Sequence, residues 1–228
     1  MTRKKKHEID ERKAVNLLAN ALKNRNKYFP PENDQHLGEV FTHINPASAT
    51  KVSSTIRKLF GKFAPRLQPE IDIILRKGDD IRAIEVKLFH HEKNNRLSRP
   101  YYIGIDQALA LLMYGFNSVA LWHIFDEKIP SNLVTSGVNA QIFIRHKLEL
   151  PIDFTALLLR KKGNNYSFHP LKPIMTDFVN KIPVGYTELS AIDDPQFTYG
   201  SRSQNKIIDL PEVKSIRSAM LQWLNEKR

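Results

Sequence analysis

The chain contains no cysteine in its 228 residues. Disulfide scaffolds, cysteine-ligated zinc, iron–sulfur clusters and cysteine nucleophiles are therefore excluded, and the absence fits a reducing compartment. Nor does an apolar signal-peptide core follow the basic start, Met1 to His7. A convincing membrane span is missing as well. The longest apolar stretch, Ile105 to Trp122, is broken by Asp106, Gln107, Tyr114, Gly115 and Asn117. The sequence has no internal repeat and no low-complexity tract. These absences lead to the expectation of a cytoplasmic protein without membrane contact and without an organic cofactor.

What is present is ordinary for a globular chain, 41% hydrophobic and 26% charged, and long enough to bury a substantial core. The balance of charge is not ordinary. Lys and Arg number 35 against 24 Asp and Glu, a formal net charge of +11. Such a field favours a polyanionic partner, nucleic acid foremost.

Apolar periodicity predicts a first helix over Ile9 to Tyr28, ended by Pro30 and Pro31, and a second over Ser48 to Phe63, stopped by Pro65. A short segment, Leu37 to Ile44, lies between them and contains Glu39. Ile71 to Leu75 and Ile81 to Phe89 read as strands joined by a segment of hairpin composition, Arg76 to Asp80. A charged loop, His90 to Arg99, leads to an apolar helix over Ile105 to Phe116 and a strand over Ser118 to Phe125. Ala140 to Arg145 and Phe154 to Arg160 are further strand candidates. Ser167 to Ile174, the Pro183–Gly185 turn and Asp193 to Asn205 suggest irregular structure, and Pro211 to Leu224 a closing helix. Residues 1–125 thus hold the N-terminal helices and a core. Residues 126–228 hold the remaining strands and an elaboration within the same domain.

The hairpin carries the sharpest chemical signal. Side chains alternate along a strand, so Glu85 and Lys87 share one face while Ile84, Val86 and Leu88 share the other. With Lys77 to Asp80 as the loop, Arg76 pairs with Ile81, Ile73 with Ile84, and Asp72 with Glu85. Opposed carboxylates stand about 5 Å apart at Cβ and repel unless a positive charge lies between them. A hard divalent cation suits such oxygen ligands. Held by Asp72 and Glu85 it would acidify a water and offset charge on a phosphodiester, with Lys87 orienting the water or stabilising the developing charge. Lys87 would serve as a general base only with a depressed pKa. The plain alternative is a surface salt bridge at a sheet edge, for which Glu70, opposite Lys87, is a ready partner.

The runs Pro69–Glu70–Ile71–Asp72 and Glu85–Val86–Lys87 resemble the PD-(D/E)xK nuclease superfamily, which includes restriction endonucleases, Holliday-junction resolvases and RecB-like nucleases. The resemblance implies an α/β fold, a restriction endonuclease-like core with a mixed central β-sheet flanked by helices. It implies metal ligation by Asp72 and Glu85, and assistance to the attacking water by Lys87. Here the residue directly after the proline is Glu70, and the aspartate comes two positions later. Members also use an upstream acidic residue, for which Glu39 is the first candidate and Glu11 the second. RecB-like members place a Gln and a Tyr on the next helix. Gln107 matches as a catalytic candidate; Tyr114 stands seven residues on rather than four, and Leu111 occupies the usual position.

Lys93, Arg96, Arg99, Tyr101 and Tyr102 are candidates for contact with a nucleic-acid backbone, the bland alternative being a solvated loop. Arg3 to Lys6 is a candidate flexible arm. His90, His91 and His123 lack partners at metal-binding spacing and read as structural or surface residues. The expectation is a Mg²⁺-dependent (or Mn²⁺-dependent) deoxyribonuclease of restriction or repair type, acting as a homodimer on DNA. The alternative is a nuclease-like nucleic-acid-binding or assembly protein that does not cleave.

Overall fold

The structure is a computed structural model, and residues 9–24, 38–63, 70–94, 96–175, 183–189 and 203–227 are described. The arm at Arg3 to Lys6, the end of the first predicted helix at Tyr28, Pro30 and Pro31, and Leu37, Pro65 and Pro69 lie outside these residues, as does most of Asp193 to Asn205. The architecture is α/β, a seven-stranded mixed sheet flanked by five helices among the described residues.

The first helix, α1 (Glu11–Lys23), is capped by the Asp10 carboxylate, which accepts from the Lys13 amide at 2.8 Å. Strand β1 (Glu39–Ile44) and helix α2 (Thr50–Phe60) follow. Next come β2 (Ile71–Lys77) and β3 (Asp80–Phe89), then a small ribbon of β4 (His91–Glu92) and β5 (Arg96–Leu97). Helix α3 (Ile105–Leu111), β6 (Ser118–Asp126), α4 (Ser131–Leu148), β7 (Asp153–Lys162), β8 (Asn165–Met175), β9 (Pro183–Glu188) and α5 (Pro211–Glu226) complete the order. The sheet runs β1-β2-β3-β6-β7-β8-β9. Strands β3, β6 and β7 are parallel neighbours, and the pairs on either side of them are antiparallel.

Helix α1 covers one face, where Val15, Leu18 and Leu22 meet Ile84, Val86, Leu88 and Trp122. The opposite face bears two apolar clusters. One packs Ala83, Val119 and Leu121 against α2, α3 and α5, and the other packs Phe89, Phe125 and Ala156 against α4. Between them on that same face, alternation places Glu85 and Lys87 on β3 and His123 on β6, and Lys87 pairs with His123 in register. All three are buried.

Four predicted segments are corrected. Ala140 to Arg145 is helical, part of α4, rather than a strand. Its alternation of Ala140, Ile142 and Ile144 imitates a strand, yet Val134, Val138 and Gln141 bury at helical spacing. The parallel pairing of β6 with β7 also demands a crossover, which a hairpin cannot supply. Ser167 to Ile174, read as irregular, lies within β8, and the Pro183–Gly185 turn begins β9. Prolines hid β8: its pairing with β7 ends at Pro170 and its pairing with β9 begins at Leu171, so Pro170 stands where the strand changes partner. The helix predicted to Phe116 winds into a tighter 3-10 turn over Leu112–Tyr114.

Candidate functional site

The hairpin of β2 and β3 turns at Gly78 and Asp79, tighter than the four-residue loop expected, with Lys77 paired to Asp80. Gly78 has φ +60, as glycine does at the first central position of a type II′ turn. The register is nonetheless the expected one, with Arg76 opposite Ile81 and Ile73 opposite Ile84.

Ladder pairing stops at Ile73 and Ile84, one step before Asp72 and Glu85. Two amides further along β3 are satisfied by carboxylates instead of by a β2 backbone. The Val86 amide donates to Asp72 Oδ2 at 2.7 Å, and the Leu88 amide donates to Glu11 Oε2 at 3.2 Å. The strands part at the acidic residues, and Glu11 enters from the first turn of α1 to fill the fork. Arg99 pairs with the Glu11 carboxylate, and Lys87 Nζ lies 3.7 Å from Glu11 Oε1 and 2.6 Å from Glu85 Oε1.

This geometry sets the electrostatics. Burial, opposed by the Val86 amide and by Lys87, pushes the Asp72 carboxyl up to about 6. Burial and then repulsion from Asp72 push Glu85 up to about 7. Lys87 is held above its ordinary value. Burial alone would lower it, but the Glu85 carboxylate, with Glu11 and Asp72 behind it, outweighs that. Lys87 is thus an ammonium that orients and neutralises, and the condition for a general base is not met. His123 is pushed down to about 4 by burial, so it stands neutral beside Lys87, one ring nitrogen 3.3 Å from the Ile103 carbonyl oxygen.

Of the upstream acids, the first candidate, Glu39, is not brought to the fork. It sits opposite Arg76, 3.9 Å from that guanidinium, toward the turn end of the hairpin. The second candidate, Glu11, is in the fork. The sequence signal for it was its place beside an N-cap aspartate at the start of an amphipathic helix.

Gln107 is half-buried on α3, and no hydrogen bond joins it to the carboxylates among those described. Tyr114 is a core aromatic. Lys93, Arg96 and Tyr102 are exposed, whereas Arg99 is tied to Glu11. Tyr101 is not displayed for stacking on bases: its ring packs near Phe89 and its hydroxyl donates to the Leu133 carbonyl at 2.8 Å. His90 turns inward to Asp126 at 3.2 Å, and His91 is exposed.

Two residues outside the predicted set adjoin the fork. His43 on β1 pairs with Glu70, and the ligand atoms of His43, Glu70 and Asp72 all lie within 4.8 Å of one another. Gly104, at the start of α3, leaves room for Lys87: a Cβ there would stand 3.0 Å from Lys87 Cγ and Cε. Comparison with protein-family models, with curated proteins and with solved structures finds no match to this chain.

Proposed function

We propose that this chain is a divalent-metal-dependent nuclease that hydrolyses phosphodiester bonds in DNA, with a restriction endonuclease-like core. The observation that carries the reading is the fork, where Asp72 and Glu85 face one another beyond the last ladder pair with the Lys87 ammonium against Glu85. A structural salt bridge needs one carboxylate for one ammonium. Here Asp72, Glu85 and Glu11 all act electrostatically on Lys87, Arg99 is the one further cation paired into the group among the described residues, and burial drives Asp72 and Glu85 toward protonation. That donor set, all oxygen and short of cation, fits Mg²⁺ or Mn²⁺.

Asp72 and Glu85 would hold the ion, with Glu11 as the upstream carboxylate. When bound, the ion acidifies water and offsets charge on the phosphate. The chain's own residues do the rest. The Val86 amide fixes the direction of Asp72. The Lys87 ammonium, already protonated, stabilises charge developing on the phosphate. Arg99, half-exposed at the mouth of the fork, neutralises a neighbouring phosphate when it leaves Glu11. Lys93 and Arg96 extend this basic rim.

The test is incubation of duplex, branched and single-stranded DNA with the protein and Mg²⁺ or Mn²⁺. Cleavage that chelation stops is expected, with Glu85→Ala and Lys87→Ala each lowering the rate at least about a hundred-fold while binding survives. Binding without cleavage of any substrate by the parent protein, with either ion, would instead assign the chain to nucleic-acid binding or assembly.

A further inference from the structure

His43 occupies an unusual place in β1. Its register position is opposite Asp72, between Thr42, which pairs with Ile73, and Ile44, which pairs with Ile71. Its backbone takes φ +52, which turns the ring out of the strand toward Glu70 and α1. Both ring nitrogens are engaged. Nε2 lies 3.0 Å from Asn16 Oδ1 on α1, and Nδ1 meets the Glu70 carboxylate.

With the Asn16 amide oxygen toward Nε2, that nitrogen donates and the Nδ1 lone pair faces the Glu70 carboxylate, an arrangement completed by a cation between them. With the amide turned over, Nδ1 instead donates to Glu70 and no ion is needed. Asp72 supplies a third ligand atom, and the three lie within 4.8 Å of one another. Ligand atoms around one ion at about 2.1 Å are separated by up to about 4.2 Å, so small rotamer adjustments close the set. The Asn16 bond is also the arrangement that orients metal-bound histidines, whose second ring nitrogen donates to an oxygen nearby.

We infer that His43, Glu70 and Asp72 form a second cation site, next to the Asp72–Glu85 pair, for a divalent ion that accepts a nitrogen ligand, such as Mn²⁺, Co²⁺ or Zn²⁺. The all-oxygen pair suits Mg²⁺, whereas imidazole selects the later transition ions. This assignment deepens the nuclease reading through the shared Asp72, but its binding chemistry stands apart from cleavage.

The experiment separates the two. Glu85→Gln disables the neighbouring pair and keeps the trio. Calorimetric titration of this variant with Co²⁺, Mn²⁺ and Mg²⁺ is expected to show one Co²⁺ or Mn²⁺ bound at least roughly ten-fold more tightly than Mg²⁺. Adding His43→Asn, chosen because Asn tolerates positive φ, should weaken Co²⁺ binding at least about ten-fold, and Glu70→Gln should do likewise. The His43 imidazole signals should shift with Co²⁺ and lose any proton from Nδ1. Equal Co²⁺ affinity with and without His43, or an Nδ1 proton that persists through the titration, overturns the site and leaves a proton as the occupant. Should the parent protein cleave no DNA while Co²⁺ binding still depends on His43, the nuclease reading fails and the cation site stands. Should it cleave DNA with Mg²⁺ while Co²⁺ binding ignores His43, the cation site fails and the nuclease reading stands.

Discussion

Asp72 and Glu85 are kept close together and mostly buried, at a cost to the folded state. Asp72 titrates near 3.8 when unfolded and is pushed up to about 6 when folded, so between those values the folded chain binds more protons. The sign follows: stability tied to this group is full below about pH 4 and is lost as pH rises through about 6. Asp72→Asn still accepts from the Val86 amide but carries no charge. In chelator, urea unfolding should find Asp72→Asn more stable than the parent by of order 2 kcal/mol at about pH 8, with the gap closing near pH 4. A variant less stable at every pH would mean that the carboxylate contributes more through its bonds than it loses through burial. On the nuclease reading proposed above, stability is given up here for function.

At the scale of elements, the fork depends on how α1 and α3 meet β3. Helix α1 delivers Glu11 to an amide that β2 leaves unpaired. Helix α3 begins at Gly104, whose φ of +88 and missing side chain let the stem of Lys87 pass. Gly104→Ala adds a methyl 2.9 Å from Leu121 Cδ1 and 3.0 Å from Lys87 Cγ, and on the proposed nuclease reading should lower cleavage at least roughly ten-fold while costing about 1–2 kcal/mol of stability. Gly78→Ala is the control. It too holds a positive φ, +60, but has nothing within 4 Å, so it should cost stability through backbone strain alone and leave the cleavage rate unchanged. Equal rate losses in the two variants would show that strain, rather than the seat for Lys87, governs the rate.

Across the whole molecule the sheet is continuous through residue 126, and a buried ion pair ties its halves together. Arg82 on β3 donates to Asp153 on β7 at 2.9 Å, and the other Asp153 oxygen accepts from the Ser203 amide and hydroxyl at 2.9 and 2.8 Å. Removing one member of such a pair strands the other in the interior. Asp153→Ala should therefore destabilise by about 3–5 kcal/mol in thermal or denaturant unfolding, whereas Lys51→Ala, which breaks an exposed pair with Glu226, should cost under about 1 kcal/mol. No helix among the described residues is long and apolar enough to cross a membrane.

Local pattern alone determined much of this protein. Alternation placed Glu85 and Lys87 on one face, a short polar turn set the register, and apolar periodicity located α1, α2 and α5, because each of these is written in the spacing of residues near in sequence. The closing of the fork by Glu11 rather than Glu39 was decided by the tertiary structure, since it depends on where β2 ceases to pair and on which helix end lies over the free amides of β3. The same holds for His43, Glu70 and Gly104, whose roles come from neighbours 27 or 17 positions away. It also holds for α4, where a strand-like alternation gave way to the crossover that two parallel strands require. Side-chain chemistry and period are properties of the chain itself. Which amide is left without a partner is a property of the packed sheet.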